Sequence, residues 1–295
     1  MNEGDALFEQ AASALRGAGG KRDLAAAREL FRRSAEAGRS HAAVIHANFV
    51  AAGVGAPPDW QGGLFLLRSL AETDRRCRGQ LDRIDAMALT PEGDPAEAPA
   101  GETLCEHPHI ARFTAFFTPE ECLYLASAAA PMLEPSVVVD AATGRQVRDP
   151  VRTSDGIGFP WPLENPAIHA LNRRIAAASG THVAQGEPLQ VLRYKPGDQY
   201  RTHYDAIPGF ANQRILTMIV WLNQDYEGGE TFFPTPNLKL RGRTGDALLF
   251  RNAGSDGRRD PDAAHSGLPV TAGQKWIASR WIRQAPFELP IEGAG

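Results

Sequence analysis

The sequence predicts an α+β protein, an N-terminal α-helical repeat region followed by an antiparallel double-sheet jelly roll with flanking helices. Three observations carry this expectation. Residues 1–92 are rich in alanine and poor in β-branched residues, which suits helices. Residues 91–101 have the proline and glycine content of a linker. From Glu187 onward, short β-branched and aromatic runs alternate with Gly and Pro turns, the signature of many short strands. The boundaries read from this are 1–92 for the helices, 93–107 for the linker and 108–295 for the sheet domain. The 295 residues, 43% of them apolar, suffice for one large or two modest cores.

Within the helical region, residues 23–36 (DLAAARELFRRSAE) echo residues 59–72 (DWQGGLFLLRSLAE) at an offset of 36. That period fits paired-helix units that each need a neighbour to cover an apolar side. There is room for about two such units, so the region is expected to pack on the sheet domain or on itself in a homodimer. It is expected either to bind a protein partner or to serve as a stabilising cap. The N-terminus, Met1-Asn2-Glu3-Gly4-Asp5, lacks the basic and apolar regions of a signal peptide, and no later apolar run is long enough to span a bilayer. Cys77, Cys105 and Cys122 are odd in number and widely spaced, suggesting neither a disulfide framework nor a zinc site. A reducing, cytoplasmic protein without a membrane partner is expected. The net charge of −4 argues against a generally nucleic-acid-binding surface.

In the second region, His107-Pro108-His109 has the composition of a surface turn rather than a ligand pair. Thr118-Pro119-Glu120-Glu121 is a helix start, with Thr118 as N-cap, Pro119 at the first helical position and Glu121 closing a capping box. That helix carries Leu123 and Leu125 and stops near Pro131. Ser136 to Asp140 reads as a strand and Ala141 to Pro150 as a polar turn or loop. A second helix runs from Asn165 to Ser179 and ends at Gly180; its His169 and the following His182 are read as surface or packing residues. Residues 216–222 are apolar on both faces, as in a core strand. Gly228-Gly229 makes a turn, Thr231-Phe232-Phe233 a short strand, and residues 245–250 another.

Tyr194 to Asp205 carries the chemistry. After the Pro196-Gly197 turn, His203 and Asp205 lie on a strand or its end, and residues two apart share a face. They can offer an imidazole nitrogen and a carboxylate oxygen to one metal ion, with His265 as the third ligand. Two histidines and one carboxylate form the facial triad of a non-haem Fe(II) site with open positions. Residues 270–274 read as the turn of a hairpin leading into a strand on which Lys275, Ile277, Ser279, Trp281 and Arg283 share one face. That strand could point Lys275 into a barrel near the metal.

The ordered set Arg152-Thr153-Ser154, Leu189-Gln190-Val191-Leu192-Arg193-Tyr194, Pro196-Gly197-Asp198-Gln199-Tyr200, His203-Tyr204-Asp205, Arg214-Ile215-Leu216-Thr217, Gly228-Gly229-Glu230-Thr231-Phe232-Phe233-Pro234, Gly245-Asp246-Ala247-Leu248-Leu249-Phe250 and His265 to Lys275 resembles the 2-oxoglutarate and Fe(II)-dependent dioxygenases, specifically the prolyl 4-hydroxylase catalytic domain. The resemblance covers residues 110–285. The N-terminal echo resembles SEL-like repeats of the tetratricopeptide type.

The resemblance implies a double-stranded β-helix fold and Fe(II) held by His203, Asp205 and His265. It also implies 2-oxoglutarate anchored by Lys275, with Tyr194 and Thr217 adding hydrogen bonds, and O2 as the second co-substrate. Ascorbate belongs with this cofactor set. Arg152, Tyr200, Arg214 and Trp281 fall at substrate-binding positions, and the loop around 140–153 at a place where it can close over a peptide. For Arg152 a surface charge, for Tyr200 packing and for Trp281 a core role are the other readings. Arg283 stands where related enzymes can have histidine. The implied reaction is hydroxylation of a peptidyl proline with release of succinate and CO2. The alternatives are a same-fold oxygenase with a non-prolyl or small-molecule substrate, and an inactive repeat-based interaction protein.

Overall fold

The structure is a computed structural model that describes residues 2–18, 21–139 and 146–289. The helices are α1 (Glu3–Arg16), α2 (Leu24–Glu36), α3 (Ser40–Ala52), α4 (Trp60–Ala71), α5 (Arg75–Asp85), α6 (Pro119–Ala129) and α7 (Pro166–Ser179). The first strands are β1 (Glu102–Cys105), β2 (Ile110–Phe113), β3 (Glu134–Pro135), β4 (Val137–Val139), β5 (Gln146–Arg148), β6 (Asp155–Phe159), β7 (Leu189–Tyr194) and β8 (Tyr200–His203). They are followed by β9 (Arg214–Trp221), β10 (Tyr226–Gly228), β11 (Thr231–Phe233), β12 (Leu238–Leu240), β13 (Ala247–Arg251), β14 (His265–Gly267), β15 (Val270–Gly273) and β16 (Lys275–Arg283). No described helix is long and apolar enough to cross a membrane.

The chain forms two compact units: Met1–Ala98 with Phe159–Arg174 and the segment from Glu288, and Pro99–Gly158 with Ile175–Phe287. In the first, Ala11, Ala27, Phe31, Ile45 and Phe49 make a core, Phe31 meeting Phe49 edge-on with ring centroids 5.5 Å apart. The sequence echo has a local cause here. Asp23 and Asp59, 36 residues apart, each cap a helix, accepting from the backbone N–H of Ala26 and Gly62 at 2.9 and 2.8 Å. The expected linker at 93–107 is not one uniform connector. Leu89 bridges Pro95 and Asp94 pairs with Arg173, while Glu102–Cys105 is a strand paired with β2. Local composition reads as linker because these segments draw their order from specific pairings, one of them to Arg173 far along the chain, that composition does not reveal.

In the second unit an eight-stranded sheet has the order β1-β2-β13-β9-β16-β7-β6-β3, and a four-stranded sheet the order β12-β11-β14-β8. Among the described residues every strand pair is antiparallel. A single core including Ile219, Trp221 and Ile277 of the large sheet and Phe233 and Leu240 of the small one joins the two as a jelly roll. The α6 start is as expected, with both hydrogen bonds of the Thr118–Glu121 capping box present. Leu125 is buried, whereas Leu123 is exposed.

Two expectations need correction. Residues 270–273 are strand β15, paired with β10, rather than the turn of a hairpin. The chain thus leaves the small sheet at β14, pairs with β10 and then enters the large sheet as β16. Turn-forming composition lost to ladder hydrogen bonds from a strand more than forty positions earlier. Within the span read as a loop, Gln146–Arg148 is strand β5, paired with β4. Residues 140–145, the core of the loop expected to close over substrate, lie outside the described residues.

Candidate active site

β8 and β14 lie side by side in the small sheet and place His203 opposite His265 in register. Asp205 follows two residues past His203, just beyond the end of β8. The three offer one ligand atom each, all within 4.8 Å of one another. Local hydrogen bonds decide which nitrogens are offered. His203 Nδ1 lies 2.8 Å from the Arg201 carbonyl oxygen, and His265 Nδ1 3.0 Å from that of Ala263. A carbonyl only accepts, so each Nδ1 carries the proton and each Nε2 keeps its lone pair. The Nε2 atoms stand 3.4 and 3.6 Å from Asp205 oxygens, too far for good hydrogen bonds and gathered about a common point.

This donor set fits a divalent cation. Burial pushes the Asp205 carboxyl up, but His265, His203 and the Thr217 hydroxyl outweigh it, and the group stands well below the usual carboxylate range. Burial pushes His265 down, keeping its imidazole neutral. An ionised carboxylate beside a neutral imidazole is the protonation state that metal binding requires. Fe(II) is the metal to which a two-histidine, one-carboxylate face points.

The ligands line a pocket of about 450 Å3, part of it open to solvent. Lys275, Ile277, Ser279 and Trp281 of β16 all line it, as the period-two reading requires. Lys275 is 3% exposed, and its Nζ donates to the Gly229 carbonyl at 2.7 Å. Burial pushes its ammonium down to about 8, against the opposing effect of Glu230. Tyr194, opposite Lys275 in the β7–β16 ladder, is pushed up to about 12 by burial and remains a neutral phenol.

The structure distributes the other expected residues unevenly. Arg152, Tyr200 and Trp281 line the pocket. Arg152 bridges to Tyr200 through the backbone, and Tyr200 stacks on His203 with ring centroids 3.5 Å apart. Arg214 does not line the pocket. Its Nε and Nη2 donate to both oxygens of Glu187 at 2.6 and 2.9 Å, and its guanidinium lies 3.6 Å from the Trp281 ring centre. Arg283 donates to the same Glu187 at 2.6 Å, so the residue that departs from the family pattern is held in an internal ion cluster. Thr217 lines the pocket with its hydroxyl 2.6 Å from Asp205 Oδ2. Sequence reasoning missed Thr231, Glu187 and Asn252. Thr231 lines the pocket and was legible as an inward position alternating with Phe232; nothing local marks the other two.

Comparison with known proteins bears on this geometry. Prolyl 4-hydroxylase 1 of Arabidopsis thaliana is 39% identical over 203 residues, covering 62% of this chain and 71% of that protein. The chain belongs to the prolyl 4-hydroxylase family. The family model described as the 2OG-Fe(II) oxygenase superfamily matches residues 189–283, which span all three candidate ligands and Lys275. This prolyl 4-hydroxylase family member is also 34% identical over 212 residues to probable prolyl 4-hydroxylase 3 of the same plant, covering 64% of this chain and 74% of that one. Among solved structures, a viral collagen prolyl hydroxylase from Paramecium bursaria Chlorella virus-1, in complex with 2OG, superposes with a TM-score of 0.50 at 28% identity. The match covers 62% of this chain and 99% of that one. The chain is accordingly a 2-oxoglutarate-dependent dioxygenase with a jelly-roll domain, of a family whose members use Fe(II) and 2-oxoglutarate.

Proposed function

We propose that this chain hydroxylates a C–H bond of a peptidyl proline, consuming 2-oxoglutarate and O2 and releasing succinate and CO2. The observation that carries the reading is the pairing, in one pocket, of the His203, Asp205 and His265 ligand atoms with a buried ammonium that has no hydrogen-bonded carboxylate among the described residues. Fe(II), when bound, supplies O2 activation at its open positions, with 2-oxoglutarate as the source of electrons. His203, Asp205 and His265 hold that ion. Lys275 receives the far carboxylate of 2-oxoglutarate, which would otherwise be buried at a cost of several kcal/mol. Tyr194, a neutral phenol, can donate a hydrogen bond there.

Tyr200 and Trp281 in the pocket lining offer apolar contact to a puckered pyrrolidine ring, and Arg152 offers donors to a peptide carbonyl. The prolyl and collagen substrates in the relatives' names support a peptidyl proline. We include ascorbate as the reductant that sustains the assay.

The test is succinate release from 2-oxoglutarate by protein supplied with Fe(II), ascorbate and O2, with and without proline-rich peptides. Peptide-stimulated succinate together with one oxygen added to a proline is the expected result. Metal-dependent 2-oxoglutarate binding without stimulation by any peptide would overturn the prolyl substrate. Absence of both would favour an inactive interaction protein.

A further inference from the structure

We propose that Thr217 and Asn252 form a positioning relay that holds the Asp205 carboxylate in the one orientation that faces the two imidazoles. The proposal rests on reading His203, Asp205 and His265 as the metal site.

Asp205 needs such a support because it lies past the end of β8, outside any strand ladder. Thr217, in the middle of β9, brings its Oγ1 to 2.6 Å from Asp205 Oδ2 and 2.7 Å from Asn252 Nδ2. All three side chains are buried: Asp205 is 4% exposed, Thr217 and Asn252 1% each. The proton inventory fixes the direction of the chain. An ionised carboxylate can only accept, so the hydroxyl gives its single proton to Oδ2. The same hydroxyl oxygen can then only accept from Asn252, which must present its NH2 group. Oδ2, 3.6 Å from His265 Nε2, thereby has one of its lone pairs engaged, while Oδ1, 3.4 Å from His203 Nε2, is free of that bond, and the fixed carboxylate keeps one oxygen toward each imidazole.

Asn252 also reaches the other side of the site. Its backbone N–H donates to the Ile215 carbonyl at 2.8 Å, and its carbonyl accepts from Asp260 N–H at 2.9 Å. Asp260 caps the short turn Pro261–Ala263, and the Ala263 carbonyl is the one that holds His265 Nδ1. One residue thus anchors the support of Asp205 through its side chain and that of His265 through its backbone. Its Oδ1 is buried without a partner among the described residues, a cost that an apolar residue filling the same space would not carry.

The resemblance placed Thr217 on 2-oxoglutarate instead, and an experiment separates the roles. Mn(II) is titrated into metal-free protein and free ion followed by electron paramagnetic resonance, alongside KM for 2-oxoglutarate at saturating Fe(II). Thr217→Val keeps the shape and removes the hydroxyl; it should weaken Mn(II) binding by about 10- to 100-fold, the usual range for groups that orient metal ligands. Its KM for 2-oxoglutarate at saturating metal should stay within about threefold, and Thr217→Ser should restore Mn(II) binding. Asn252→Leu should weaken Mn(II) by a smaller factor, about tenfold or less, because the hydroxyl remains but can rotate. Parental Mn(II) affinity in Thr217→Val, an effect confined to the 2-oxoglutarate KM, or failure of serine to rescue would each overturn the relay. Failure of the parent protein to bind Mn(II) would overturn the metal reading itself.

Discussion

Asp205 and Lys275 are opposite charges buried in the same pocket, and the chain provides for them differently. The carboxylate is met by two imidazoles and the Thr217 hydroxyl, and is held well below the usual carboxylate range. Among the described residues the ammonium has one hydrogen bond, to the Gly229 carbonyl, and burial pushes it down to about 8. The negative end is therefore built to stay ionised within the protein. The positive end has donors left over, and an incoming carboxylate would complete it. On the proposed function, the contrast gives the pocket a direction: cation at the triad, anion at the lysine.

The most damaging way to break this contrast is at the triad. His203→Ala should reduce succinate formation by more than about 100-fold, a ligand mattering more than the groups that orient it, with the melting temperature little changed. Unchanged succinate formation would remove His203 from the metal site. At the other end, Lys275→Ala should raise KM for 2-oxoglutarate by about 100-fold, since leaving a buried charge unpaired costs about 3 kcal/mol, while kcat at saturation falls less. An unaltered KM would show that the ammonium is not the partner of the far carboxylate.

A pH titration sharpens the same point. The Lys275 ammonium is protonated below about 8 and loses its proton above, with Glu230 favouring and Arg241 opposing the charged form. A bound carboxylate favours the protonated form, so affinity is full below about 8 and declines as pH rises through it. KM for 2-oxoglutarate should then climb by up to about tenfold per pH unit, until the raised pKa of the complex is reached. The Lys275→Ala variant should lack that climb. The smallest effect lies outside the pocket: Thr118→Ala removes the α6 cap and should lower stability by about 1 kcal/mol in denaturant unfolding, leaving KM for 2-oxoglutarate alone.

Much of the site could be read from the sequence because its logic is local. His203 and Asp205 are two apart on an extended segment, and the alternation of β16 puts Lys275, Ile277, Ser279 and Trp281 on one face without any knowledge of neighbouring strands. The Thr118 cap and the aspartates that open the two echoed segments are equally local. What escaped depended on register between distant strands. Val270–Gly273 looks like a turn until β10 pairs with it. Thr217 reaches Asp205, and Arg214 meets Glu187, only because the fold brings residues 12 and 27 positions apart together. Phe159–Arg174 belongs to the compact unit of the N-terminal helices, which no composition boundary marks.

The two histidines stand on the small sheet and Lys275 on the large one. If Lys275 receives the far carboxylate as proposed, the span that a dicarboxylate must bridge is set by the gap between two packed sheets, about 10 Å, a dimension fixed by backbone stacking. On that proposal the pocket would act as a ruler for chain length. Accepting a longer diacid would require shortening the side chain at position 275, because moving the sheets apart would open the whole core.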